Sequence, residues 1–352
     1  MFRRWITGVL IGTALVGVTS PLFVRSYVPR TNDPVRGVAV LQPGAHYRWR
    51  SEGYATTRIG PMGMPGKTSF PAEDRSAIRL TLWGDSQAEG VCVDDHDKIA
   101  AQLSRLSSDQ IQIYPFARSG DDCNDWIPQI AALAENTETR GRIDAHVFLI
   151  VEWSDWCIEI DESPESISTT FSTISATLPA FVIQTVRNII TRGDGTTRRR
   201  LRFRPGPVDA VRAGNVSGPV DQSNVRIESQ SKLLALQLQR LRQGCDQPCI
   251  FVYAPMIPAI TDGQVRWNDP DQRLFERFQR HCADHGFHVI DGRPAMKSAA
   301  IEGEWPRGFH NGQFGVGHYN ASGNRIIAER LLDVRDRITP SDGSLSLDEA
   351  KD

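Results

Sequence analysis

Two short segments of this chain offer a nucleophile and a base. The first is Leu82-Trp83-Gly84-Asp85-Ser86-Gln87-Ala88-Glu89-Gly90. It follows Ile78–Trp83, a run with the length and composition of a strand buried on both faces. A serine placed after such a strand, next to glycine and ahead of a helix, sits in an exposed turn. Its hydroxyl can attack a carbonyl carbon while backbone N–H groups face the oxyanion that develops. Gly-Asp-Ser alone says little, because turns use these residues anyway. The second segment is Gly317-His318-Tyr319-Asn320-Ala321-Ser322-Gly323-Asn324-Arg325-Ile326-Ile327-Ala328. An imidazole can take up and release a proton under mild conditions, so His318 could serve as the general base that a serine needs.

The elements that must position this pair read as an alternation. Apolar runs at Ile78–Trp83, Ile111–Phe116, His146–Val151, Ile250–Ala254 and Phe287–Ile290 predict strands. Helices are predicted over Lys98–Leu106, over Ile227–Gln243, from Asp269-Pro270 to Gly286, and from the capping residue Asn320 to about Val334. This pattern predicts a three-layer α/β/α sandwich on a five-stranded parallel sheet. Ligands of such sheets bind at the carboxyl ends of the strands, where Ser86 falls. About 95 residues separate the third and fourth strands. This insertion, at about 160–230, holds an apolar helix around Leu178–Ile190 and the basic run Arg198–Arg204. The basic run reads first as a solvated loop, and it could also touch anionic lipid or polysaccharide. Arg192-Gly193-Asp194 reads as chance. Residues 31–75, rich in Gly, Pro and Arg, read as a linker with lead-in loops, 76–336 as the folded domain and 337–352 as a polar tail.

Taken together, these blocks resemble the SGNH (GDSL-type) hydrolase superfamily, whose flavodoxin-like fold fits the predicted alternation. Gly84-Asp85-Ser86 matches the first block, with Ser86 as nucleophile. Ser119-Gly120 resembles the second, whose glycine N–H helps form the oxyanion hole. His318-Tyr319-Asn320-x-x-Gly323 resembles the last, with His318 as base. Thr57-Arg58-Ile59-Gly60-Pro61-Met62-Gly63 resembles a lead-in of anchored members. The resemblance therefore implies Ser86 and His318 as catalytic residues. It implies an oxyanion hole from Ser86, Gly120 and Ser154. Two positions depart from the pattern. The third block reads Glu152-Trp153-Ser154-Asp155, so Ser154 stands where an asparagine amide belongs, and Asn124 could supply that amide only if its loop folds inward. Gly315 stands three residues before the histidine, where the orienting aspartate belongs. Asp291 and Glu304 are the candidate replacements, and a Ser–His dyad held by a backbone carbonyl is the alternative.

Other features bound the reading. Lys plus Arg number 40 against 42 Asp plus Glu, a formal net charge of −2, which gives no basic excess for nucleic acid. Arg3-Arg4 precede Ile6–Val24, about 19 uncharged residues. Residues 1–30 thus read as a signal anchor, attaching the chain to a membrane through one helix, or as a cleaved signal peptide, with a buried core helix as the third alternative. The first two export the rest. The six cysteines permit disulfides: Cys245 and Cys249 could close a tight loop, and a Cys123–Cys157 bond would brace the loops after the second and third blocks. His281, Cys282 and His285 suit a solvated helix face better than zinc. Gly60–Thr68 fails as a phosphate loop, because a required glycine is Pro61. Trp83, Trp126, Trp153 and Trp156 fall near the blocks and read as burial against the sheet, with a sugar-stacking wall as the alternative. The expectation is an exported, membrane-anchored or secreted esterase or deacetylase needing no metal or organic cofactor. Its substrate would be an ester or O-acetyl group, by location that of an envelope polysaccharide. Acyl transfer by the same residues and a non-catalytic binding or assembly module are the alternatives.

Overall fold

The structure is a computed structural model that describes residues 2–23, 30–50, 52–67, 69, 77–159, 220–261, 263–312 and 314–334. Leu178–Ile190, Arg192–Asp194, Arg198–Arg204 and the tail fall outside the described residues. The chain opens with helix α1 (Phe2–Phe23). Two antiparallel hairpins follow, β1 (Arg30–Asp33) with β2 (Val38–Leu41), and β3 (His46–Trp49) with β4 (Ala55–Arg58). Then come β5 (Ile78–Trp83), α2 (Ser86–Glu89), α3 (Ile99–Leu106), β6 (Ile111–Pro115), α4 (Cys123–Glu135) and β7 (Ala145–Ile150). Beyond the insertion lie α5 (Val220–Gly244), β8 (Cys249–Tyr253), and a small hairpin of β9 (Ala259–Thr261) and β10 (Gln264–Arg266). The chain continues through α6 (Gln272–Asp284), β11 (His288–Asp291), α7 (Arg293–Ile301) and α8 (Ala321–Leu332).

Five strands form one parallel sheet in the order β6-β5-β7-β8-β11. Alternate residues of each strand serve opposite faces. Trp83, Phe148, Ile150, Phe251 and Tyr253 pack with residues of α4, α5 and α6. Leu80, Leu82, Val147, Leu149 and Val252 pack with residues of α3, α7 and α8. Both faces are covered, as expected of a three-layer sandwich, and every residue of β7 and β8 is buried. Chain order runs outward in both directions from β5, so its carboxyl end is the switch point where a doubly wound sheet opens a crevice.

The described residues of the segment expected to be a linker include both hairpins. These two hairpins pack onto the domain. Tyr47, Trp49, Ala55 and Ile59 make a third apolar cluster with Val91 and Cys92. The first hairpin is tied down by Arg36, whose Nε donates to Gln129 Oε1 (2.9 Å), Nη1 to the Met62 carbonyl (2.7 Å) and Nη2 to the Phe116 carbonyl (2.9 Å). Burial pulls this guanidinium down to about 10.

At the amino end, α1 exposes Phe2, Trp5, Leu10, Leu15 and Val16. Among the described residues no helix is long and apolar enough to cross a membrane, so the expected spanning helix is not found. Gly8, Gly12, Gly17, Thr7 and Thr13 dilute the apolar residues of α1, and Arg3 and Arg4 occupy its start.

Arg36→Ala would leave the Gln129, Met62 and Phe116 oxygens without a donor in a buried setting. Urea unfolding should show a loss of about 3–5 kcal/mol against the wild type.

Candidate active site

Ser86 is the first residue of α2, at the carboxyl end of β5. Gly84 makes the turn possible: its φ is +152°, and a Cβ there would stand 2.6 Å from the Ala88 Cβ. Asp85 caps the short helix, its Oδ1 accepting from Gln87 N at 2.9 Å. Gly90 closes it in the left-handed region. Lys98 then donates to the Glu89 and Gly90 carbonyls at 3.0 and 2.5 Å. Burial lowers the Lys98 ammonium to about 8, opposed by the Glu89 carboxylate.

His318 arrives from the loop before α8. His318 Nε2 lies 3.0 Å from Ser86 Oγ. His318 Nδ1 lies 2.8 Å from Glu52 Oε2, and the His318 backbone N–H donates to Glu52 Oε1 at 3.2 Å. A carboxylate only accepts, so Nδ1 carries the ring proton and Nε2 offers its lone pair to the serine. Ser86, His318 and Glu52 therefore form one hydrogen-bonded line.

Glu52 sits at the turn between β3 and β4. Gly53, at φ +70°, turns the chain there, and Asn311 grips it by accepting from Gly53 N (2.8 Å) and donating to the Gly53 carbonyl (2.8 Å). On the histidine side, Gln87 Oε1 accepts from Tyr319 N at 2.9 Å, coupling α2 to the base. The buried Arg307 donates to the Gly317 carbonyl (3.1 Å) and the Pro255 carbonyl (2.7 Å), and lies 3.9 Å from the Tyr319 ring centre. The Trp49 ring stands edge-on to His318 at 6.4 Å.

Sequence reasoning missed Glu52. Asp291 ends the edge strand β11, three strands from β5, which is roughly 14 Å across the sheet. Its oxygens accept from Arg293 at 2.9 and 2.8 Å. Glu304 accepts from Ser322 Oγ (3.1 Å) and Arg325 (2.5 Å). Neither reaches the imidazole. The local signal that could have found Glu52 is a hairpin pattern, two short aromatic- and Thr-bearing runs around Ser51-Glu52-Gly53. Gly315 cannot host the aspartate that the resemblance expects. Its φ is +77°, and a Cβ would come within 2.6 Å of Ile260.

Oxyanion-hole candidates are placed unevenly. Among the described residues the N–H groups of Ser86 and Gly120 have no partner. Glu89, buried beneath them, accepts from Ser119 N (2.7 Å) and Tyr47 OH (2.6 Å), fixing the Gly120 loop to the nucleophile helix. Ser154 is exposed, and its hydroxyl turns to Glu152 (3.5 Å) and Asp155 (3.3 Å). Asn124 is committed elsewhere, donating to the Glu159 carbonyl at 2.9 Å and accepting from Arg240 at 2.8 Å.

The other candidates resolve as follows. All six cysteines are free. Cys123 faces the core, while Cys157 Sγ donates to the Gln230 carbonyl at 3.8 Å, so the expected brace is absent. Cys245 and Cys249 lie with their sulfurs 3.6 Å apart, unbonded. Cys282 is buried, and His281 pairs with Ser231 at 3.0 Å. Trp83, Trp126, Trp153 and Trp156 are all buried, packed on Phe116, Phe148, Tyr253 and one another, and form no sugar wall.

No family model matches the chain, and no curated protein matches it. Among solved structures it is similar to that of TesA, at 11% identity over 74% of this chain and 99% of that one, with a TM-score of 0.38. An acetyl xylan esterase, AlAXEase, aligns at 12% identity over 73% and 99%, with a TM-score of 0.38. A GDSL-like lipase from Parabacteroides merdae aligns at 12% identity over 76% and 99%, with a TM-score of 0.36. Likeness at this level defines no activity, so function rests on the geometry of the site itself.

Asp155 gives the site a pH signature. Burial, then the neighbouring Asp85 and Glu152 carboxylates, push its carboxyl up to about 7. The folded state then holds a proton that the unfolded chain releases near pH 4, so this group's stabilisation is present below about pH 4 and is lost as pH rises towards 7. Asp155→Asn should flatten that part of the profile. Thermal melts from pH 4 to 8 should show the variant's melting temperature gaining on the wild type as pH rises.

Proposed function

We propose that this chain is a serine hydrolase of the SGNH (GDSL) kind, an esterase or deacetylase acting through Glu52, Ser86 and His318. The observation that carries this reading is the unbroken line from Glu52 Oε2 to His318 Nδ1 (2.8 Å) and from His318 Nε2 to Ser86 Oγ (3.0 Å) at the sheet's switch point. His318 Nε2 takes the serine proton as Oγ bonds to the acyl carbon. The Ser86 and Gly120 N–H groups receive the developing oxyanion. His318 then passes its proton to the leaving alcohol, and water repeats the sequence to free the acid. Glu52 holds the imidazole in its working tautomer and faces the positive charge that forms on the ring.

Each role predicts a rate. Ser86→Ala and His318→Ala should abolish turnover of an activated acetyl ester and labelling by a serine-directed fluorophosphonate. Glu52→Gln should keep the fold and lower kcat by ~10²–10⁴, with KM little changed. Full turnover in Ser86→Ala would overturn the reading, and acetylation of a sugar hydroxyl without net hydrolysis would mark the enzyme as a transferase.

We further place the domain outside the cytoplasm. Arg3-Arg4 followed by the apolar, exposed α1 support this, having the charge and apolar order of an export signal. Alkaline phosphatase fused after residue 334 should be active in a bacterial host, and an inactive, full-length fusion would refute export.

A further inference from the structure

Cys92 plays no part in the hydrolytic scheme, yet its sulfur adjoins the acid and the base. One ligand atom from each of Glu52, Cys92 and His318 lies within 4.8 Å of the other two. A carboxylate oxygen, a thiolate sulfur and an imidazole nitrogen form a three-ligand zinc set, leaving a fourth position for water. Tetrahedral zinc holds such donors about 3.3–3.7 Å apart, so sub-ångström to ångström adjustments close the site. Sulfur and nitrogen donors favour zinc-like ions over magnesium or calcium.

Cys92 also borders an open cavity of about 320 Å³, lined besides by Tyr54, Asp94, Asp97 and Phe309. Its two aspartates make that cavity attractive to cations. Behind Cys92 the wall is fixed, because the Gly53 turn rests on the Cys92 carbonyl so closely that no side chain fits at 53.

We propose that Glu52, Cys92 and His318 form an inhibitory site for a zinc-like divalent cation, which holds the hydrolase in an inactive form. On binding, the Cys92 thiol loses its proton to water, and the two anionic ligands balance the ion's charge. His318 coordinates through Nδ1, and the ring proton moves from Nδ1 to Nε2. Nε2 then donates to Ser86 Oγ instead of accepting from it, so the base is lost. Glu52 is withdrawn from the imidazole at the same time. The inhibition rests on the hydrolase reading, whereas the binding of the ion does not.

The test uses the full chain with zinc chloride and cobalt chloride in a non-coordinating buffer. Equilibrium dialysis should find one more zinc per chain in the wild type than in Cys92→Ala. Cobalt should give a near-ultraviolet thiolate-to-metal charge-transfer band that Cys92→Ala lacks. The variant should turn over the acetyl ester at about the wild-type rate without metal. It should need at least ~10-fold more zinc for half-inhibition. Cys92→Ser, of nearly equal volume, serves the same comparisons if the alanine variant does not fold. Equal zinc stoichiometry or equal zinc sensitivity in wild type and variant would overturn the proposal, as would full turnover with the wild-type ion bound. Dialysis and the cobalt band decide the ion site even in a chain without esterase turnover, so failure of the hydrolase reading is told apart from failure of the metal site.

Discussion

The contact between the Glu52 carboxylate and the His318 imidazole is the one on which the rest of the site depends. It fixes the ring tautomer and aims Nε2 at the serine. It requires that the tip of an N-terminal hairpin meet a loop 266 residues further along the chain. The glycines around the histidine make room for that meeting. A side chain at Gly317 would overlap the Glu52 carboxylate, and a Cβ at Gly312 would come within 2.8 Å of Glu52 Cγ. The loop has given up side-chain volume so that a carboxylate can enter from outside it.

Buried polar groups hold the two halves of this contact in register. Glu89 ties the nucleophile helix to the Gly120 loop and to Tyr47 of the acid-bearing hairpin. Arg307 spans the end of β8 and the loop before the histidine. Arg36 pins the first hairpin to α4 and to the end of β6. Such groups are costly to bury, and each takes hydrogen-bond partners from separate elements. Their geometry is met in one arrangement of hairpins, sheet and loops, which gives the site its rigidity.

A site preorganised to polarise a serine is also close to a ligand set. The carboxylate and imidazole are held against each other at 2.8 Å, and the sulfur of Cys92 completes a third corner. The same proximity that shapes the base thus leaves it open to capture by a soft cation.

The strands and the serine turn were legible in the sequence because their causes are local. Ile78–Trp83 is an apolar run of strand length, Gly84-Asp85-Ser86 is a turn and a cap, and Asn320 accepts from Gly323 N at 3.1 Å as a helix cap does. The burial of the four tryptophans was legible for the same reason, since they flank apolar strands. The hairpins within 31–75 were hidden by Gly, Pro and Arg composition, although Tyr47 and Trp49 alternate inward. Asp291 looked suitable because it ends a strand, but strand order put that strand at the far edge. By itself the sequence determined the alternating sheet architecture, the serine turn and the histidine block, through hydrophobic period and capping chemistry. Only the tertiary structure decided which carboxylate meets the histidine, because Glu52 reaches His318 through a long-range packing of hairpin against loop that no local pattern encodes.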